Sequence, residues 1–117
     1  MLNKILGKLI TSVDGAQAAI FLDHDGEAIA QSGEFVVDVK LLGAWKEIHL
    51  DHIKEITGRL GLGSVQAVLF SLDEGNQLIA PVLKDYCLLL LLSPYANLQT
   101  AMAGLKTAIE ELIVEIS

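Results

Sequence analysis

Apolar residues recur at helical spacing from the second residue onward. Leu2, Ile5, Leu6, Leu9, Ile10 and Val13 make one stripe, Asn3, Lys4, Lys8 and Thr11 fall outside it, and Asp14-Gly15 closes the helix. Ala16 to Leu22 reads as a strand, and Asp23-His24-Asp25-Gly26 supplies an Asp-Gly turn into a partner strand from Glu27 to Ser32. After Gly33 the helical period returns. Asp38 is placed to cap a long helix to about Leu60, with Leu41, Leu42, Trp45, Ile48, Ile53, Ile56 and Leu60 as its stripe. Lys40, Glu47, Asp51, Lys54, Glu55 and Arg59 lie on its other side, Glu55 and Arg59 in the favourable i, i+4 order. Gly61 and Gly63 end this helix. Three strands follow at hairpin spacing, Ser64 to Leu72, Gln77 to Leu83 and Tyr86 to Ser93, joined by Asp73-Glu74-Gly75-Asn76 and Lys84-Asp85. The last helix runs from Asn97 to Ile116 on Leu98, Ala101, Met102, Leu105, Ile109, Leu112, Ile113 and Ile116, with Pro94 in the loop before it.

The predicted order is α-β-β-α-β-β-β-α, an α/β (α+β) fold on a five-stranded sheet, antiparallel because strands joined by short turns must be. Cys87 to Leu92 lacks alternation, which makes it a central strand buried on both faces, and Ala16 to Leu22, almost as apolar, lies beside it. Such a sheet is about 20–24 Å wide at ~4.8 Å per strand, and a helix with its side chains is about 10–12 Å across. The first and last helices therefore cover one face, and the middle helix alone leaves half of the other bare. The strand beside it, Ser64 to Leu72, is apolar on both sides, an association hazard at a sheet edge unless it is paired. A twofold dimer that joins these edges and lays two middle helices side by side removes the hazard. Its interface is expected from Trp45, Ile48, His49, His52 and Ile56 of the helix and from Val65, Ala67, Val68, Leu69 and Phe70 of the strand. Two readings of Trp45 stay open: an anchor in that interface, or a side chain packed on its own sheet.

Composition sharpens this reading. The 117 residues suit one domain, 1–117, large enough to fold without disulfide or metal. With a hydrophobic share of 52% and an aromatic share of 5%, the surplus is aliphatic, in a very apolar core or on surface meant for a partner. The net charge of −7 argues against a nucleic-acid backbone or an anionic membrane as partner. The one cysteine, Cys87, begins the run Cys-Leu-Leu-Leu-Leu-Leu and reads as a buried small hydrophobe; a single cysteine in the sequence points to a reducing compartment, the cytoplasm. The apolar run Cys87 to Leu92 falls far short of the roughly 20 residues that span a bilayer. The first helix, broken by Lys4 and Lys8, has no cleavage-site pattern.

Candidate chemistry is sparse. Asp23-His24-Asp25-Gly26 superficially matches a calcium loop, but on that spacing Phe21 and Ser32 would take the first and twelfth ligand positions, so a hairpin turn is the better reading. His49 and His52 share one side of a helix as a metal pair would, yet no third ligand stands at a recognisable spacing, and no metal or cofactor is expected. Gly58, Gly61 and Gly63 lead into a strand with no Lys-Ser/Thr after them, which makes them helix terminators and not a phosphate loop. No nucleophile–base set stands out, so the protein reads as non-catalytic. Glu110, Glu111 and Glu115 read as a solvated face. The amphipathic first helix invites a membrane-surface or partner-docking reading, but its detachment would bare the sheet beneath it.

In this order and spacing, Val13-Asp14-Gly15-Ala16-Gln17-Ala18-Ala19, Asp23-His24-Asp25-Gly26-Glu27-Ala28-Ile29-Ala30, Val37-Asp38-Val39 and Pro94-Tyr95-Ala96-Asn97-Leu98 resemble the Roadblock/dynein light chain family over nearly the whole chain. Many bacterial members carry Gly and Arg early in the last helix, where this chain has Gln99 and Met102. The resemblance implies a profilin-like or longin-like sandwich that dimerises through the edge strand and middle helix, and a small Ras-like GTPase as partner. On that implication the outer side of the paired helices, with Lys40, Glu47, Asp51, Lys54 and Glu55, meets the GTPase, and any stimulation acts through the GTPase's own residues, since nothing marks Arg59 as a finger. The alternatives are a structural or motor-associated scaffold that heterodimerises with related Roadblock chains and, more distantly, a ligand-sensing domain of similar layout.

Overall fold

The elements come in the expected order: α1 (Leu2–Ser12), β1 (Ala16–Leu22), β2 (Ala28–Gly33), α2 (Val39–Arg59), β3 (Val68–Leu72), β4 (Gly75–Val82), β5 (Tyr86–Leu92) and α3 (Leu98–Ile116). The structure, a computed structural model, describes residues 1–34 and 39–117, with their side chains except those of residues 39–42, 44, 45 and 47. Asp38, the expected cap of α2, lies outside the described residues.

All strand pairs are antiparallel, in the order β2-β1-β5-β4-β3. The unalternating run in β5 is thus central, and β1 is its neighbour. Alternation along the strands sorts the side chains into two layers. Leu88, Leu90 and Leu92 of β5, with Ala19 and Phe21 of β1, point to the layer that holds Leu6 and Leu9 of α1 and Ala101, Leu105, Ala108 and Leu112 of α3. Cys87 and Leu89, with Ile20, Leu22 and Ile79, point to the layer of α2, where the helix contributes Leu50. Two helices therefore cover one face and one helix the other.

Two glycines mark where helices come closest to what they pack on. A Cβ at Gly104 of α3 would stand 2.6 Å from Val13 Cγ2 and 3.3 Å from Leu9 Cδ1, so α1 and α3 meet where α3 has no side chain. A Cβ at Gly43 would collide with the Gly26 carbonyl oxygen and crowd Leu22 Cδ2, which ties the start of α2 to the β1–β2 turn. That turn is held by its own aspartate: Asp23 Oδ1 accepts from the N–H groups of Asp25 at 2.9 Å and Glu27 at 3.0 Å. At the head of α3, Asn97 Oδ1 accepts from the Thr100 N–H at 3.0 Å and caps the helix.

The strand expected from Ser64 starts only at Val68. In the β3–β4 register Val68 faces Ile79 and Phe70 faces Gln77, so position 66 would face Pro81, which has no N–H to offer a ladder.

Candidate functional site

α2 meets the sheet along Gly43, Lys46 and Leu50, with Ile53, Lys54 and Thr57 half-buried beyond them. At about 100° per residue, His49, Ile56 and, farther round, His52 fall to one side of this stripe, Asp51 and Glu55 to the other, and Ile48 lies opposite it, beside Glu55. The first side faces β3: the His49 ring lies 6.1 Å from the Phe70 ring, and Lys46 Nζ stands 3.8 Å above the same ring. Ile48 and Ile56 are more than half exposed, at 54% and 56%, and Leu60, at the end of the helix, is 65% exposed. The residues that the apolar pattern assigns to a single stripe thus part company. Leu50, absent from that stripe, is the fully buried anchor, Ile56 and Leu60 form an exposed apolar ledge on the β3 side, and Ile48 is exposed opposite the buried stripe.

Lys46 is buried, and loss of hydration pushes its ammonium below the ordinary lysine value. The face of Phe70 gives that charge a partial substitute for water. Sequence reasoning missed this residue, because a lysine in an amphipathic helix is ordinarily placed in solvent.

β3 is a sheet edge. Its Val68 and Phe70 point toward α2 and are half-buried, whereas Leu69, facing Leu78 across the β3–β4 pair, points to the opposite layer and is exposed. Of the expected interface residues before the strand, Val65 packs on the α2 layer and Ala67 on the α1–α3 layer. The edge backbone and both its flanking layers are therefore open along one side of the molecule. The opposite edge, β2, ends in Gln31-Ser32-Gly33, and α1 lies over it.

Of the residues expected to dock a partner, Asp51 and Glu55 are exposed, and Arg59 Nη2 donates to Glu55 Oε1 at 2.6 Å. Lys54 is half-buried and lines a groove of about 890 Å³ between the end of α2, residues 64–66, Pro81, Leu83 and the middle of α3. The side chains of Trp45, Lys40 and Glu47 lie outside the described residues. Among the described residues no three His, Cys, Asp or Glu side chains are grouped to hold a metal ion, and His52 is exposed. Cys87 is buried in β5. No described helix is long and apolar enough to cross a membrane.

Neither a protein-family model nor a curated protein matches the sequence. Solved structures do match the fold. MglB of Myxococcus xanthus aligns with a TM-score of 0.91 over 98% of this chain and 94% of its own, at 15% identity. A Roadblock/LC7 domain from Streptomyces avermitilis aligns with a TM-score of 0.89 over 97% of this chain and 96% of its own, at 16% identity. Profilin II of Acanthamoeba castellanii covers 100% of both chains with a TM-score of 0.72 and 14% identity. The chain has the Roadblock/LC7 fold, a profilin-like arrangement of helices on an antiparallel sheet.

Proposed function

We propose that this chain is a Roadblock-type adaptor: one domain over residues 1–117, non-catalytic, that forms a homodimer and binds and modulates a small Ras-like GTPase. The observation that carries the proposal is the open side of the molecule, where the edge strand β3 and the exposed Ile56 and Leu60 lie on the same side of α2 as the His49–Phe70 contact. Singly exposed aliphatic side chains are ordinary, but a row of them beside a free edge is a surface built for a partner. A second copy related by a twofold axis fits it, because strand edge meets strand edge and ledge meets ledge. Trp45, Ile48, His49, His52 and Ile56 of α2 with Val65, Ala67, Val68, Leu69 and Phe70 are the proposed contact set.

Pairing would leave the exposed Asp51 and Glu55 outermost on the dimer, and these, with Lys40, Glu47 and the half-buried Lys54, are the proposed docking residues for the GTPase. The GTPase itself is supported by the likeness in fold to MglB and by the motif resemblance of the chain to Roadblock regulators. Calorimetry and a nucleotide-hydrolysis assay with a small Ras-like GTPase encoded near this chain test the reading. Binding in at least one nucleotide state, lost on Asp51→Lys with Glu55→Lys, is expected; no binding in either state overturns it. Pairing only with related Roadblock chains in the same assay would favour the scaffold reading.

A further inference from the structure

We infer that the groove between the end of α2 and the middle of α3 docks a peptide segment that carries both apolar and acidic side chains. Val65, Pro81, Met102, Leu105 and Ile109 give it an apolar floor, and Thr57, Ser64 and Gln66 put polar groups on its wall. Lys54 of α2 and Lys106 of α3 reach it from two different elements, and neither lies within ion-pair distance of a carboxylate among the described residues. In a chain with 15 acidic and 8 basic residues, two lysines left without carboxylates above one apolar floor give the groove a charge complementary to a carboxylate-bearing ligand. A bare inorganic anion would use only the lysines and the polar wall, whereas aliphatic side chains of a ligand would also bury surface on the floor. Glu110 also lines the groove, so the favoured ligand presents its carboxylates to the lysines and not along its whole length.

Two backbone features favour a peptide. The groove runs beside residues 64–66, which enter no strand, and β3 stops short of the stretch of β4 around Pro81. An extended segment can lie along such a wall and place alternate side chains on the floor. At the lip, Leu83 holds a left-handed backbone, φ 55°, with its side chain half exposed. Glycine or asparagine would fill that turn with less strain, so the leucine side chain, and not the turn, accounts for the residue there.

The groove shares Val65 with the proposed dimer contacts and Lys54 with the proposed GTPase face, so its test uses Lys106 and Met102, which belong to neither and are both exposed. A random peptide library displayed on phage is selected against the native chain, and the selected peptides are titrated by fluorescence anisotropy against the native chain, Lys106→Glu and Met102→Asp. The expected peptides combine Leu, Ile, Val or Phe with Asp or Glu. They bind Lys106→Glu about tenfold more weakly and lose measurable affinity for Met102→Asp. Reselection on Lys106→Glu yields Lys- or Arg-bearing peptides. The native melting temperature in both variants excludes unfolding as the cause, and unchanged GTPase binding by Lys106→Glu separates this groove from the α2 face. Failure to select any peptide, selection without acidic residues, or equal binding to all three proteins would overturn the inference. So would loss of self-association by Met102→Asp, which would give the groove to a second copy.

Discussion

Lys46 is where burial and charge oppose each other most directly. Its ammonium is desolvated above Phe70 and held below the ordinary lysine pKa of 10.5. The unfolded chain then binds the proton more tightly than the folded one, so folding carries the cost of this charge at neutral pH and sheds it as pH rises through the alkaline window below 10.5. Lys46→Met keeps the aliphatic stem and removes the charge. Urea unfolding at neutral and alkaline pH is expected to show the native protein gaining stability on the variant as pH rises; parallel curves would mean that Lys46 is solvated. Leu50 is the other decisive residue of α2. It is fully buried, and Leu50→Ala is expected to lower unfolding free energy by about 2–5 kcal/mol, against within about 0.5 kcal/mol for the exposed Ile48→Ala in a monomeric background. A change of Ile48 as costly as that of Leu50 would contradict the orientation of the helix. The place of Leu50 was not legible in the sequence. Ile48 belongs to the stronger apolar pattern, and Gly43, Lys46 and Leu50 read as a weaker one, because close approach to Gly26 selects a glycine and a lysine stem serves as core.

The order and type of the elements were legible because each carries its own period and its own punctuation. Asp23-His24-Asp25-Gly26 closes its hairpin through the Asp23 carboxylate, and Asn97 caps α3. The start of β3 was not legible, because the obstacle lies across the sheet: Pro81, distant in sequence, faces the position where Gln66 would have to pair. The contact between α1 and α3 was equally hidden, since a glycine within an amphipathic helix does not announce what it touches. Gly104→Val would drive a side chain into Val13 and Leu9. Calorimetric melting is expected to show a destabilisation of about 1–3 kcal/mol from overpacking, with the helices separating slightly. A variant as stable as the native protein would mean that α1 and α3 do not cross at this glycine.

At the scale of the whole molecule, the faces of the sheet are unequally dressed. Two helices close one face, and α2 closes the other only in part, which leaves an apolar ledge beside the β3 edge and a charged side turned away from it. The imbalance was foreseeable from helix and sheet widths alone. The groove beside α3 was not foreseen, since its lining comes from four separate stretches of chain. The central claim is that the open side exists for a second copy. Sedimentation velocity over a concentration series, on the native chain and on Val68→Asp, Trp45→Glu and the double variant, tests it most directly. A native dimer that each substitution shifts toward monomer or aggregate is the predicted result. A native chain that stays monomeric throughout, or a double variant that remains fully dimeric and stable, would contradict it.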